Sequence, residues 1–411
     1  MERTAAGGHT GTGRAWAAVA GWLLLIWGAI PLAGALRELV AGRGGRHLFL
    51  WATLLALAAV GVRLLRAAAR RGLTPARLLV LAAVAALFVG LVWSLRDSPE
   101  EALHSVQYAV LGTLLFRALD RHPGGLAGYA AAAMAGIGLG IIDELIQWLV
   151  PGRTFDYRDL GINGLSAVLA LVAVGAVQGY RPVRRRARLR DWRPVLLLAA
   201  ADLLLLLFCL SNTPELQGRY ARLLPAAASL DEVTAEYGHR HVDAVAGVFR
   251  SRLDRVELAR QDRERVSEVA AILDRYAGEE QYRAFLARYP AHRDPLLVEA
   301  RVHLFRRDRY AFLADQAKDD TDLRQQYARI AMGENRIMET VFPTVLGHSG
   351  YRWPETMRAT LATWAGPAAP YQSPVSSELI TVAPRSVLQT LVLLLLVPVL
   401  WGVLRAGRRE R

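Results

Sequence analysis

Long apolar runs alternate with short charged segments over most of the chain. A helix needs about 17–25 mainly apolar residues to cross the hydrocarbon core of a bilayer. Eight runs meet or approach this length, at 15–33, 48–65, 78–95, 104–119, 127–150, 160–177, 194–210 and 386–404. The fourth run is the shortest and contains Gln107. The pattern predicts an all-α fold, a polytopic transmembrane helical bundle of about eight spans.

A long polar stretch, 211–384, separates the seventh run from the eighth. Its apolar residues recur at helical spacing over 231–250, 266–276 and 282–289, so the stretch is predicted to be an α-helical domain. Prolines from Pro354 to Pro374 predict an irregular approach to the last span. His239 and His241 would point apart on the predicted helix and are expected to be surface residues.

These patterns predict five segments. They are two N-terminal spans (1–77), a core of four spans (78–180), a basic loop with the seventh span (181–210), the helical domain (211–384), and the last span with a basic tail (385–411).

The distribution of charge predicts how the chain crosses the membrane. The 411 residues include 50 Lys+Arg against 37 Asp+Glu, with a mean hydropathy of +0.21. The stretch 211–384 is nearly neutral, so the basic excess lies between the spans, at 63–77, 181–193 and 405–411. Basic loops stay in the cytoplasm. Both termini are therefore expected inside and 211–384 outside, and nucleic acid is not an expected partner.

Cys209 is the only cysteine, which excludes a disulfide-stabilised secreted scaffold. No sequence pattern indicates a cofactor. A metal site is not expected at the polar residues of the middle spans, because they include one histidine and no nearby thiolate. Asp202, inside the seventh run, is expected to bond to a neighbouring helix.

Polar residues gather where the predicted topology brings three span ends together, on the extracytoplasmic side. His104 and Tyr108 are one turn apart at the start of the fourth run, and Glu144 and Gln147 share a face near the end of the fifth. Intramembrane ionisable residues are by default candidates for function. His104 and Glu144 are therefore candidates for acid–base catalysis. The candidates for substrate binding are Tyr108, Gln147, Arg153, Asp156, Asp159 and Asn163.

This ordered set resembles the VanZ-like family of bacterial membrane proteins, over about residues 78–177. The shared pattern is a His and a Tyr one turn apart, then Glu-x-x-Gln, an Arg, two spaced Asp and an Asn. A glycine common in the family three residues after the Asn is Ser166 here. The resemblance implies a protein of the bacterial plasma membrane with a cell-envelope role, in a family named for resistance to the glycopeptide antibiotic teicoplanin. It names no reaction.

Three functions stay open at this point. The first is a protein whose outward polar site binds a lipid-linked or cell-wall component. The second is a membrane enzyme acting on a lipid-linked substrate of the outer leaflet. The third is an envelope scaffold whose helical domain, 211–384, docks a partner protein.

Overall fold

The computed structural model describes residues 6–32, 47–95, 102–119, 125–150, 153–178, 189–224, 227, 230, 233–367 and 369–408. The chain divides into two compact units. We call Met1–Cys209 with Gln389–Arg411 the membrane unit, and Leu210–Leu388 the polar unit. Most of the predicted basic loop, 179–188, lies outside the described residues.

Each of the eight predicted runs coincides with a helix. These helices are α1 (Ala6–Ala29), α2 (His47–Arg71), α3 (Pro75–Ser94), α4 (Ala102–Leu119), α5 (Leu126–Leu149), α6 (Tyr157–Gln178), α7 (Arg193–Ser211, after a 3-10 turn at Leu189–Trp192) and α16 (Arg385–Arg408). The all-α, polytopic fold is confirmed.

Six helices in the described part of the chain are long and apolar enough to cross a membrane. They are Trp51–Arg71, Pro75–Ser94, Leu126–Leu149, Tyr157–Gln178, Arg193–Ser211 and Arg385–Gly407. Helices α1 and α4 are not among them, and α4 carries His104, Gln107 and Arg117, which lower its mean hydropathy. A count of eight spans therefore stays a prediction.

Helices α4, α5 and α6 pack closely because small residues meet where they touch. A Cβ placed on Gly136 of α5 would lie 3.0 Å from the Cβ of Ala167 on α6. A Cβ on Gly112 of α4 would lie 3.0 Å from the carbonyl oxygen of Ala167. Small residues let helix backbones approach in membranes, where no hydrophobic effect drives helices together. Helix α1 packs on α4, and Trp22 Nε1 donates to the Gln107 carbonyl at 2.9 Å.

The polar unit contains eight helices and a two-stranded hairpin. The helices are α8 (Pro214–Tyr220), α9 (Arg255–Glu264), α10 (Val266–Arg275), α11 (Gln281–Arg288), α12 (Pro295–Gln316), α13 (Thr321–Val341), α14 (Pro343–His348) and α15 (Glu355–Ala365), as far as this unit is described. The predicted helices at 266–276 and 282–289 are confirmed by α10 and α11.

The predicted helix over 231–250 is wrong. Strands β1 (His239–Asp243) and β2 (Gly247–Ser251) form an antiparallel hairpin there. Asp243 Oδ1 accepts from the amides of Val245 and Ala246, at 2.8 and 3.1 Å, which fixes the turn. Gly247 follows with a φ of +82°, a conformation that glycine adopts without steric cost.

Two further expectations for this unit need correction. The stretch after Trp353 is not irregular throughout, because Pro354 directly precedes α15, where a missing backbone N–H costs no helical hydrogen bond. His241 is not a surface residue: it is only 8% exposed and stacks on Phe249, with ring centroids 4.7 Å apart. His239 is exposed as expected.

Backbone hydrogen bonds join the beginning of the polar unit to its end. The amide of Ala235 donates to the Asn212 carbonyl at 3.1 Å. The amide of Ile380 donates to the Glu236 carbonyl at 2.9 Å, and the amide of Gly238 donates to the Ile380 carbonyl at 3.3 Å. The two ends of this unit are thus fixed close to each other.

A buried charged network lies inside the polar unit between α12 and α13. Glu334 is fully buried, and its Oε2 lies 2.6 Å from His303 Nδ1. Its Oε1 accepts from Arg306 Nε at 2.9 Å, from the Tyr371 hydroxyl at 2.6 Å and from Ser373 Oγ at 3.0 Å. Every polar atom of this carboxylate therefore has a partner, which a buried charge requires.

Candidate functional site

The first wall of the candidate site is the beginning of α4. Ser105 and Tyr108 lie one turn apart and are fully buried, while His104 is half-buried. The Tyr108 hydroxyl donates to the Leu139 carbonyl of α5 at 3.3 Å. This contact ties α4 to α5 just below the polar residues of both helices.

The second wall is the end of α5, where Glu144 is fully buried and fully hydrogen-bonded. Glu144 Oε1 accepts from Gln147 Nε2 at 2.8 Å, and Oε2 accepts from the Asp156 amide at 3.0 Å. Arg153 donates to the Gln147 side-chain oxygen. The guanidinium thus connects to the carboxylate through the amide. We call Arg153, Gln147, Glu144 and Asp156, in this order, the closed chain, because each is bonded to the next.

Asp156 also starts the third wall, helix α6. Its Oδ1 accepts from the Arg158 amide at 2.7 Å, the bond of an N-cap residue. Asp159 lies in the first turn, where a carboxylate interacts favourably with the helix dipole, and it is close enough to Arg153 and Arg158 to interact with both charges. Both aspartates therefore have a local structural reason to be where they are.

Asn163 of α6 lies where α4, α5 and α6 meet, and Ser166 follows it one turn later on the same helix. A Cβ placed on Gly140 of α5 would lie 3.1 Å from the Asn163 Cβ and 3.6 Å from Tyr108 Cε1. The glycine therefore lets the amide side chain and the phenol ring meet over α5. Asn163 and Ser166 are fully buried, and neither oxygen nor nitrogen of the Asn163 side chain has a hydrogen-bond partner among the described residues.

Asp143 belongs to the same site, and the sequence analysis gave it no role. It is fully buried, and neither carboxylate oxygen has a hydrogen-bond partner in the described part of the chain. His104, Tyr108 and Arg153 are close enough to interact with its charge. The available signal was its position three residues after Gly140, on the glycine face of α5 that meets α4 and α6.

The hydroxyls of Ser105 and Ser166 are buried and likewise unpartnered within the described ranges. Ser105 lies one turn from Tyr108, which interacts with Asp143, and Ser166 lies one turn from Asn163. We call Ser105, Asp143, Asn163 and Ser166 the open cluster. Buried polar groups in folded proteins nearly always have a partner, and an exception points to water, an ion or a ligand. The site therefore has two parts: the closed chain, whose glutamate is bonded at both carboxylate oxygens, and the open cluster, whose buried polar atoms have no partner among the described residues.

The remaining sequence candidates lie at the edges of the open cluster. His104 Nδ1 has no partner among the described residues, and its charge would interact with Asp143. Arg153 is half-buried, and its Nε is also unpartnered in that part of the chain. All eight sequence candidates thus lie on the three walls of one site.

A carboxylate of α7 lies against α5, outside the candidate site. Asp202 of α7 lies against Gly138 of α5, so close that a Cβ at Gly138 would overlap its carboxylate. The described residues contain no group of three or more His, Cys, Asp and Glu side chains arranged to hold a metal ion.

A comparison with family models matches residues 48–178 to the family described as VanZ/LLP1. This confirms the VanZ-like resemblance and extends it at its N-terminal end, from about residue 78 to residue 48, so that it includes α2. The chain is thus a membrane protein with a VanZ-like segment that holds the whole candidate site. Comparisons with curated proteins and with solved structures find no match.

Proposed function

We propose that the VanZ-like segment binds the polar head group of a lipid-linked or cell-wall component of the bacterial envelope, in the open cluster. The observation that carries this proposal is the set of four fully buried polar side chains with unpartnered atoms, Ser105, Asp143, Asn163 and Ser166. Leaving a buried donor or acceptor unpaired costs about 1–3 kcal/mol each. A ligand that satisfies several of them at once would regain much of that cost.

The proposal includes the sidedness expected from the sequence. Arginines between the spans favour a topology with both termini in the cytoplasm of a bacterial cell and the polar unit outside. The beginning of α4, the end of α5 and the beginning of α6 then face the outer leaflet. A component of the outer leaflet or of the cell wall would reach the open cluster from that side.

The chemistry of the cluster favours a head group that both donates and accepts hydrogen bonds. Asp143 offers acceptors, the Asn163 amide offers both, and the two serine hydroxyls adapt to either. Arg153 and His104 at the edge would interact with an anionic group such as a phosphate. The proposed ligand is therefore hydroxylated or amidated, with an anionic group near the cluster.

Mass spectrometry of what co-purifies with the full chain tests the proposal. We expect one amphiphile to be enriched over the bulk lipid. Asp143→Leu or Asn163→Leu, which keep the number and branching of side-chain heavy atoms, should reduce this enrichment about tenfold or more, as the loss of one or two hydrogen bonds implies. Asp202→Leu is the matched control, since it removes an intramembrane carboxylate that lies against Gly138 rather than in the cluster. Equal enrichment in all variants would contradict the proposal.

A second candidate function is catalysis on the bound component. The interaction of His104 with Asp143 supports it, because a histidine beside a carboxylate can exchange a proton with a substrate. Under this function His104→Gln would keep the component bound but leave it unconverted, so that the substrate form accumulates on the protein. An unchanged bound component in wild type and His104→Gln would leave binding alone as the function.

A further inference from the structure

An apolar cleft opens in the membrane unit beside the open cluster. It has a volume of about 590 Å³ and lies between α2, α3, α4 and α6. Among the described residues that line it, Thr113 alone has a polar side chain, and its hydroxyl donates to the Val110 carbonyl of its own helix at 2.7 Å. The cleft therefore offers apolar surface and no unsatisfied polar side chain.

Helices α4 and α6 each contribute residues to both the open cluster and the cleft, with the same spacing of four residues. On α4, Ser105 belongs to the cluster, and Ala109, four residues later, lines the cleft. On α6, Ser166 belongs to the cluster, and Ala170, again four residues later, lines the cleft. Residues four apart lie above one another on a helix. On both helices, a serine hydroxyl is therefore followed one turn further along by an apolar residue that lines the cleft.

The cleft also extends far enough inward to hold part of a chain. From Ser166 to Val174, the last lining residue of α6, the helix rises about 12 Å. Val84 and Phe88 of α3 form the facing wall and pack near Leu169 and Ala173 of α6. An extended hydrocarbon chain would lie along this wall with its polar end at the two serines.

We infer that the cleft holds the hydrocarbon chain of the same amphiphile whose head group occupies the open cluster. The inference rests on the proposed function and makes its ligand a lipid rather than a water-soluble cell-wall fragment. Apolar contact with the chain supplies affinity, and the buried polar groups select the head group.

Two glycines of the membrane unit provide a matched pair of variants. A Cβ added at Gly61 of α2 or at Gly90 of α3 meets no atom within 4 Å, so an added side chain starts in open space at both positions. Gly61 lines the cleft, whereas Gly90 is exposed and does not. Gly61→Phe therefore fills the cleft, and Gly90→Phe adds the same side chain elsewhere.

The probe is a phosphatidylglycerol with a photoreactive diazirine in its acyl chain, present as a trace component in phosphatidylcholine vesicles that contain the full chain. After irradiation, mass spectrometry locates the labelled peptides. We expect labelling of α2, α3 and α4 beside the cleft, reduced about tenfold by Gly61→Phe, since losing the burial of a few methylenes is enough. We expect Gly90→Phe to label like wild type and Asp143→Leu to label as weakly as Gly61→Phe.

Each other outcome overturns the inference in a distinguishable way. If Asp143→Leu abolishes labelling and Gly61→Phe does not, the head-group site stands and the chain lies elsewhere. If Gly61→Phe abolishes labelling and Asp143→Leu does not, the cleft binds a chain without the cluster, and the proposed function fails with the inference. Labelling spread equally over α7 and α16 would show that the cleft has no preference for a chain.

Discussion

Gln147 donates a hydrogen bond from Nε2 to Oε1 of Glu144, 2.8 Å away and one turn earlier on the same helix. The other carboxylate oxygen accepts from the Asp156 amide, so the loop before α6 is fixed to the end of α5. A glutamate that the sequence marks as a candidate acid is thus bonded at both oxygens. Its neighbour Asp143, with no such bonds among the described residues, is the more available group.

This difference predicts effects of different size on stability at two adjacent positions. Glu144→Gln leaves only one acceptor oxygen for two donors, Gln147 Nε2 and the Asp156 amide. It should therefore lower the free energy of unfolding by about 1–3 kcal/mol. Asp143→Asn removes no hydrogen bond to a described residue and should change it less. Thermal unfolding of the full chain in detergent measures both. A larger loss at Asp143 than at Glu144 would show that the closed chain contributes little to stability.

The close packing at Ala167 predicts which glycine substitution can be rescued. Gly136→Ala and Gly112→Ala should each destabilise the membrane unit by about 1–3 kcal/mol, as overpacking does. At Gly136 the nearest atom is the Ala167 Cβ, so Ala167→Gly should restore stability in the double variant. At Gly112 the nearest atom is the Ala167 backbone oxygen, so the same second substitution should restore much less. Equal rescue of both would contradict this packing.

The Glu334 network predicts a large effect in the polar unit. Glu334→Gln leaves His303 and Arg306 without their carboxylate and should cost about 3–5 kcal/mol, the usual result of breaking a buried ion pair. The control is Glu339→Gln on the same helix, where the partly exposed pair with Arg358 should contribute about 0–1 kcal/mol. Hydrogen exchange of α12 and α13 in the full chain measures both effects, and it should be much faster in Glu334→Gln than in Glu339→Gln.

The same glutamate predicts a response to acid. Burial opposes its ionisation, but the charge of His303 and hydrogen bonds from His303, Tyr371 and Arg306 prevail and lower the pKa of Glu334 from 4.5 to about 2. A lowered pKa stabilises the fold above pH 4.5, and this stabilisation is lost as the pH falls towards 2. The free energy of unfolding should therefore fall more steeply over this range in wild type than in Glu334→Gln. Parallel curves would mean that Glu334 titrates normally.

His241 predicts a second pH dependence, nearer neutrality. Burial lowers the pKa of His241 below 6.5, although its bond to the Leu253 carbonyl opposes the shift. The unfolded chain then binds the proton first as the pH falls, so the polar unit should lose stability below about pH 6.5. His241→Gln should flatten this dependence, and His239→Gln, at an exposed position on the same strand, should not. Unfolding temperatures of the full chain between about pH 7 and pH 5 test the difference.

The membrane unit was predictable because each span is encoded by a long apolar run. The grouping of the candidate residues was predictable as well, since the predicted topology brings three span ends to one side and the motif residues occur at those ends. Asp143 was missed because its unpartnered state depends on how the neighbouring polar groups bond to one another. That information is not local: it follows from Glu144, Gln147 and Asp156 satisfying one another.

The hairpin at 239–251 shows why the polar unit was harder to predict. Val248 and Phe249 fit a helical spacing with earlier residues, yet the side chain of Asp243 closes a turn between them. Val248 then pairs with Tyr371, more than a hundred residues away. A periodicity search sees only neighbours along the chain, so it could not detect a strand that depends on a distant backbone.

The backbone bonds between Ala235 and Asn212 and between Ile380 and Glu236 bear on which domains relatives of this protein can contain. A module whose two ends are held side by side can be added to or removed from a hairpin between two helices without stretching either one. The helices before and after it, α7 and α16, need only a short linker in its place. Relatives that contain the spans alone, or a different module at this point, would be compatible with the same bundle.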